Sequence, residues 1–200
     1  MSDGAKQLYW LLFAVVVIMG AILALRFILP EPAYETREYN GFDFTNVDNA
    51  WYFEWQHENI IYEVGLRYAP WEVEDVPIRG VLNGSFNQKK VYITHDPDLG
   101  ENSRNFTVIQ LGAVELASSM ASSLNLLPIS ACTVNTSSCV ASHIVTCDSN
   151  GSVVYMTDIG SAGVVLNQNC ITLRGENMEL IKSIDRLLYQ WYGIMGGRWT

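Results

Sequence analysis

Four cysteines carry the most definite chemistry in this chain. They form an even set, Cys132, Cys139, Cys147 and Cys170, and none of their spacings gives the closely spaced pairs that zinc and iron–sulfur sites use. The set therefore predicts two disulfides. Of the three possible connectivities we favour Cys132–Cys139 with Cys147–Cys170, which implies an oxidising compartment. Two alternatives remain open: four buried thiols in a cytosolic domain, and a metal site built from His143 and some of the cysteines.

Histidine and aspartate give two candidate catalytic groups. His95, Asp96 and Asp98 follow a predicted strand, where sites of α/β proteins often lie, and they could supply a general base or a metal pair. The same stretch is typical of an ordinary turn, which is the interpretation we favour. His143 with Asp148 is the second group. The sequence contains no G-x-S-x-G, Walker A, G-x-G-x-x-G or H-E-x-x-H motif, so we expect no cofactor and no metal.

Two amphipathic helices must position these residues. Apolar residues recur at spacings of three and four from Asn105 to Leu127, where Pro128 ends the pattern. A second such pattern runs from Glu176 to Met195, with Lys182, Asp185 and Arg186 opposite its apolar face. The first pattern likewise places most of its serines, Ser118, Ser119, Ser122 and Ser123, off the apolar face.

The remaining elements are strands. Lys89 to Thr94 and Val153 to Thr157 are β-branched runs, and Ala50 to Pro70 has the composition of a hairpin. Trp51, Phe53 and Trp55 alternate along its first strand. That stripe could bind carbohydrate, but we predict that it is core. The order of elements predicts an α/β (α+β) domain, a mixed sheet with two amphipathic helices, preceded by an aromatic-rich β-hairpin.

An apolar stretch from Leu8 to Leu29 precedes the domain. Arg26 is its one charged residue, and about twenty such residues suffice to cross a bilayer. We expect a retained signal anchor. A cleaved signal peptide and a pilin-type precursor cut after Gly4 are the alternatives. The topology rests on cysteine usage, because the flanking positive charges are nearly balanced.

These patterns predict a cytoplasmic tail over 1–7, a transmembrane anchor over 8–29, a polar linker over 30–49 and an extracytoplasmic domain over 50–200. The net charge of −9 disfavours nucleic-acid and anionic-lipid surfaces. We expect a single-pass protein of the cell membrane, with its N-terminus in the cytoplasm, that binds or assembles with a protein partner in the cell envelope. The alternative is a membrane-anchored hydrolase using His95, Asp96 and Asp98, or His143 with Asp148.

Overall fold

The computed structural model describes residues 3–28, 34–86, 89–97, 104–139 and 143–196. The chain divides into two units, Met1–Tyr34 and Glu35–Thr200. The first unit contains one helix, α1 (Asp3–Ile28). The described residues of the second form two sheets and two further α-helices.

Helix α1 can form because half of its residues are strong helix formers and none of them is proline. Its described side chains, from Trp10 to Ala24, are all exposed. Over the described residues, no helix is both long and apolar enough to cross a membrane. The predicted span over Leu8–Leu29 is therefore not supported by the described part of the chain, and the side chains at its two ends lie outside the described residues.

A four-stranded antiparallel sheet opens the second unit, with its strands side by side in chain order. The strands are β1 (Glu35–Tyr39), β2 (Phe42–Val47), β3 (Ala50–His57) and β4 (Ile60–Leu66). Two-residue turns at Asn40-Gly41 and Asp48-Asn49 join the first three strands, and all four turn residues have positive φ. Such turns match the twist of paired strands, and asparagine, aspartate and glycine tolerate their backbone best.

The prediction of a polar linker over 30–49 is wrong from Glu35 onward. This stretch supplies β1 and β2, and Phe44 is completely buried. Residues 30–33 lie outside the described residues. The stretch looked like a linker because its apolar residues are few, but Asn40-Gly41 is a hairpin signal and one deeply buried aromatic side chain is enough to anchor the strand pair.

A seven-stranded mixed sheet forms the rest of the unit, in the order β5-β10-β11-β9-β6-β7-β8. All neighbours pair in parallel except β10 and β11, which form an antiparallel hairpin. The strands are β5 (Ile78–Leu82), β6 (Lys90–His95), β7 (Leu127–Cys132), β8 (His143–Ile144), β9 (Ser152–Thr157), β10 (Gly163–Gln168) and β11 (Cys170–Arg174).

Two helices accompany this sheet, as predicted. Helix α2 (Arg104–Ser122) connects the parallel strands β6 and β7, and α3 (Met178–Trp191) follows β11. Helix α2 is shorter than the predicted Asn105–Leu127, because Asn125 has positive φ and Leu127 already pairs with Lys90 in the sheet. The mixed α+β class is confirmed, and β5 and β7 are strands that the sequence pattern did not predict.

Helix α3 is buried on nearly every side. Its aliphatic residues Leu180, Ile181, Ile184, Leu187 and Leu188 are fully buried. Its end meets the aromatic side chains of the four-stranded sheet: Tyr189 lies 5.9 Å from Phe44, and Tyr192, just after α3, lies 5.5 Å from Phe53, between ring centroids. The four-stranded sheet therefore covers the side of α3 that the sequence pattern treated as solvent-facing.

The aromatic stripe of β3 is core, as predicted. Trp51, Phe53 and Trp55 are 8%, 2% and 4% exposed. The indole nitrogen of Trp55 donates a hydrogen bond of 3.0 Å to the backbone oxygen of Tyr192. Buried aromatic rings cannot serve as an open stacking surface, so the carbohydrate-binding alternative is wrong for this stripe.

Replacing Phe44 with alanine should remove the ring that contacts Phe53, Trp71 and Tyr189. We expect the free energy of unfolding to fall by about 3–5 kcal/mol, measured by urea denaturation of the purified chain. Ile61→Ala, on an exposed position of the same sheet, is the control and should change it by no more than about 0.5 kcal/mol. Equal losses in the two variants would contradict the assignment of Phe44 to the core.

Candidate functional site

Two disulfides are present, as the even set of cysteines predicts. They join Cys132 to Cys139 and Cys147 to Cys170, which is the connectivity favoured from the sequence. All four cysteines are therefore paired. A sulfur atom in a disulfide is not a thiolate and does not bind zinc, so both the site combining His143 with cysteines and the alternative of four buried thiols are wrong.

The first candidate group lies at the carboxyl end of β6. His95 is half-buried between Cys132 of β7 and Met156 of β9 in the sheet, and its ring centroid lies 6.4 Å from that of Phe106 on α2. Burial lowers the pKa of His95, and the neighbouring Asp96 opposes that shift. Asp96 is half-buried, and Asp98 lies outside the described residues. The His95 imidazole packs against the Phe106 ring.

The second candidate group lies on the other side of the sheet. His143 is exposed on β8, with its ring centroid 5.9 Å from that of Tyr92. In the sheet, His143 of β8 pairs with Ala131 of β7, and Ala131 pairs with Thr94 of β6. His95 is the residue that follows Thr94 on β6. Successive side chains of a strand point to opposite faces, so His95 and His143 cannot join in one site. Asp148 is exposed in the turn that precedes β9.

The described residues also offer no site for a metal ion. Within residues 3–28, 34–86, 89–97, 104–139 and 143–196, no group of three or more histidine, cysteine, aspartate or glutamate side chains is placed to hold a metal ion.

A concavity of about 710 Å³ lies on the four-stranded sheet, on the face turned away from α3. We call this the outer face. It is formed by the strand positions that alternate with the buried aromatic ones, and its lining includes Asp43, Thr45, Val47, Tyr52, Glu54, Gln56, Ile61 and Glu63. None of the candidate catalytic residues of the sequence analysis lines it.

The outer face combines acidic and apolar side chains. Glu38 pairs with Asp43 across β1 and β2, and Glu54 pairs with Glu63 across β3 and β4. Like charges directly opposite each other destabilise a sheet. The one lysine or arginine of these strands, Arg37, lies on the other face, with its guanidinium 4.3 Å from the Trp71 ring centroid.

Exposed apolar side chains lie between these carboxylates. Ile61 is 62% exposed and Tyr52 is 36% exposed. The Tyr52 ring lies over Gly65, where a Cβ atom would come within 2.6 Å of its Cε1 atom. The Tyr52 ring is therefore an aromatic part of the exposed outer face. The sequence pattern did not single out this face, because polar residues that alternate with a buried stripe are typical of a solvated surface.

Two neighbouring carboxyl groups, one buried and one half-buried, were not predicted from the sequence. Asp185, expected on the polar face of its helix, is completely buried, and Glu115 of α2 lies beside it. Burial, together with Glu115, raises the pKa of Asp185 well above its usual range, and burial also raises the pKa of Glu115. The position of Asp185 in its helix was a signal of this burial. Asp185 lies four residues from both Ile181 and Tyr189, which are apolar and buried, and so it shares their helix face.

Removing the longer disulfide should cost more stability than removing the shorter one. Cys147 and Cys170 are 23 residues apart, whereas Cys132 and Cys139 are 7 apart, and closing a longer loop restricts the unfolded chain more. We expect the double variant Cys147→Ser, Cys170→Ser to lose about 2–4 kcal/mol in urea denaturation.

The double variant Cys132→Ser, Cys139→Ser is the matched control and should lose less. Mass spectrometry of the alkylated wild-type chain should find no modified cysteine before reduction and four afterwards. Alkylation without reduction would contradict the paired cysteines directly.

Known proteins give no indication of what this chain does. The chain matches no protein-family model, no curated protein and no solved structure. The features that bear on function are therefore the paired cysteines, the separate histidines and the acidic outer face.

Proposed function

We propose that this chain is a membrane-attached binding protein whose disulfide-bonded domain holds a protein partner on its outer face. The observation that carries the proposal is the concavity of about 710 Å³ lined by Asp43, Tyr52, Glu54, Ile61 and Glu63. It places exposed apolar surface among carboxylates, and the four strands supply no basic side chain to that face. Binding surfaces commonly join an apolar centre to charged groups at the rim.

A protein is the class of partner that this surface suits best. Nucleic acids and anionic lipids present negative charge, which the paired carboxylates Glu38–Asp43 and Glu54–Glu63 would repel. A protein surface can supply both an apolar contact for Ile61 and positive groups for the carboxylates. An aromatic ring such as that of Tyr52 also attracts cationic side chains.

The two disulfides support an oxidising compartment, because disulfides form and persist in such environments. Membrane attachment is a proposal from the sequence, in which Leu8–Leu29 carries only Arg26 as a charge. The proposed orientation keeps the N-terminus in the cytoplasm and the domain outside. The partner is then a component of the cell envelope.

The alternative, a membrane-anchored hydrolase, has no specific geometry in its favour among the described residues. His95 and His143 lie on opposite faces of the seven-stranded sheet. His143 and Asp148 are exposed, and neither lines the concavity. Catalysis would need a base and a nucleophile or metal within reach of one substrate.

Site-specific photo-crosslinking tests the binding surface. A photoreactive amino acid in place of Thr45 or Gln56 would project from the outer face, and the same substitution at Val114, which is 66% exposed on α2, is the control. We expect a discrete crosslinked protein from the first two positions and none from the third. Equal crosslinking at all three positions, or crosslinking only at Val114, would reject the outer face as the binding surface.

Membrane attachment and orientation need a separate measurement. We expect the chain to stay with the membrane during alkaline extraction, and the domain to be accessible to protease added from outside the cell. Release by alkali would refute the anchor, and protection from protease in intact cells would refute the orientation. Neither outcome depends on the crosslinking result.

A further inference from the structure

The carboxyl pair of buried Asp185 and half-buried Glu115 lies where three parts of the domain meet. Asp185 belongs to α3 and is completely buried, and Glu115 belongs to α2. The third part is the chain segment Arg67–Tyr68, which leaves the end of β4. The pair thus joins both helices to the four-stranded sheet.

Backbone hydrogen bonds fasten this segment to the two carboxyl groups. The Tyr68 amide donates to Asp185 Oδ2 at 2.8 Å, and the Arg67 amide donates to Glu115 Oε1 at 3.2 Å. The Tyr189 hydroxyl of α3 donates to the Tyr68 backbone oxygen at 2.7 Å. Consecutive residues at the end of one strand are therefore tied to side chains of both helices.

The second oxygen of Asp185, Oδ1, is the position that we infer for a proton. Oδ1 is buried and no described group donates a hydrogen bond to it, while the Glu115 carboxyl lies beside Asp185. Asp185 is fully buried and Glu115 is half-buried, so two carboxylates side by side here repel each other, and that of Asp185 also lacks solvation. A proton on one of them removes the repulsion, and its O–H can be donated to the carboxylate that remains.

The groups that face the pair do not replace that proton. Arg67 offers positive charge from the segment after β4, but its side chain is exposed. Tyr68, Glu72 of the turn Pro70–Glu72, and Tyr189 of α3 are neutral or negative. Lys182 of α3 faces Tyr68 and forms an ion pair with Glu179 at 2.6 Å.

We propose that Glu115 and Asp185 form a proton-dependent joint, in which one shared proton holds the end of the four-stranded sheet against helices α2 and α3. Loss of that proton leaves two negative charges at the joint. Their repulsion and their demand for water favour release of the Arg67–Tyr68 segment. The inference concerns the stability of the domain and does not rest on the proposed binding function.

The sign of the pH effect follows from the direction of the shifts. Burial raises the pKa of both carboxyl groups in the folded state. Their contribution to stability is therefore complete below their ordinary unfolded pKa and is lost as the pH rises through the higher folded pKa. Other carboxyl groups with lowered pKa would give the opposite trend.

Thermal unfolding of the full chain at a series of pH values tests the joint. Asp185→Asn keeps the shape of the side chain and mimics its protonated form, and Glu115→Gln does the same for its partner. Glu179→Gln removes a carboxylate from the surface of the same helix and is the matched control. Between about pH 5 and about pH 8, we expect the Tm of wild type and control to fall by about 5 °C. The Tm of either joint variant should change much less.

Hydrogen exchange gives a second measurement that a general loss of stability would not reproduce. The Tyr68 amide of wild type should lose protection over the same pH range, relative to the Phe53 amide within the same sheet. Asp185→Asn should keep that protection. If Asp185→Asn fails to fold, Glu115→Gln decides the question. A Tm that falls in the joint variants as steeply as in wild type would overturn the proposal, and so would Tyr68 protection that does not depend on pH.

Discussion

Burial of α3 on both sides is the constraint on which the rest of this domain depends. One side packs its aliphatic residues on the seven-stranded sheet, and its carboxyl end meets the aromatic face of the four-stranded sheet through Tyr189 and Tyr192. The polar side chains on the buried sides of such a helix need hydrogen-bond partners inside the protein. Ser183 does so by accepting from the Gly163 amide and donating to the Arg174 backbone oxygen. Asp185 does so at one oxygen only, Oδ2, which accepts from the Tyr68 amide, while its Oδ1 has no donor among the described residues.

Sequence patterns predicted the helices and strands better than they predicted which faces of these elements are buried. Helical periodicity found α2 and α3, the β-branched run found β6, and cysteine spacing led to the observed disulfides. Periodicity assumes one buried face per helix, so it assigned Asp185 and Ser123 to solvent, although both are buried. Ser123 instead shares a hydrogen bond of 2.7 Å with the Tyr192 hydroxyl. The cover on the second face comes from strands more than a hundred residues away, which no local pattern reveals.

The sequence was also a weaker guide to which candidate residues lie close together. His95 and His143 belong to strands two positions apart in the same sheet, and a sequence cannot show that the register places them on opposite faces. The residues of the outer face, in contrast, are close in sequence and do share one surface. Thr45, Tyr52 and Gly65 share one row across three strands, yet strand pairing had to be known before their common surface could be recognised. Alternation establishes which residues share a face, and only the fold determines what covers that face.

The four-stranded sheet has a further consequence for how the chain reaches its structure. Its strands are neighbours in sequence, so their pairing closes only short loops and can form early. The aromatic residues on its inner face are covered by α3, and the hydrogen bond from Trp55 to Tyr192 spans 137 residues. During synthesis the sheet would therefore exist with Phe44, Phe53 and Trp55 uncovered until α3 emerges. Such an intermediate is prone to aggregation. The like charges on the opposite face would keep two such sheets apart during this interval.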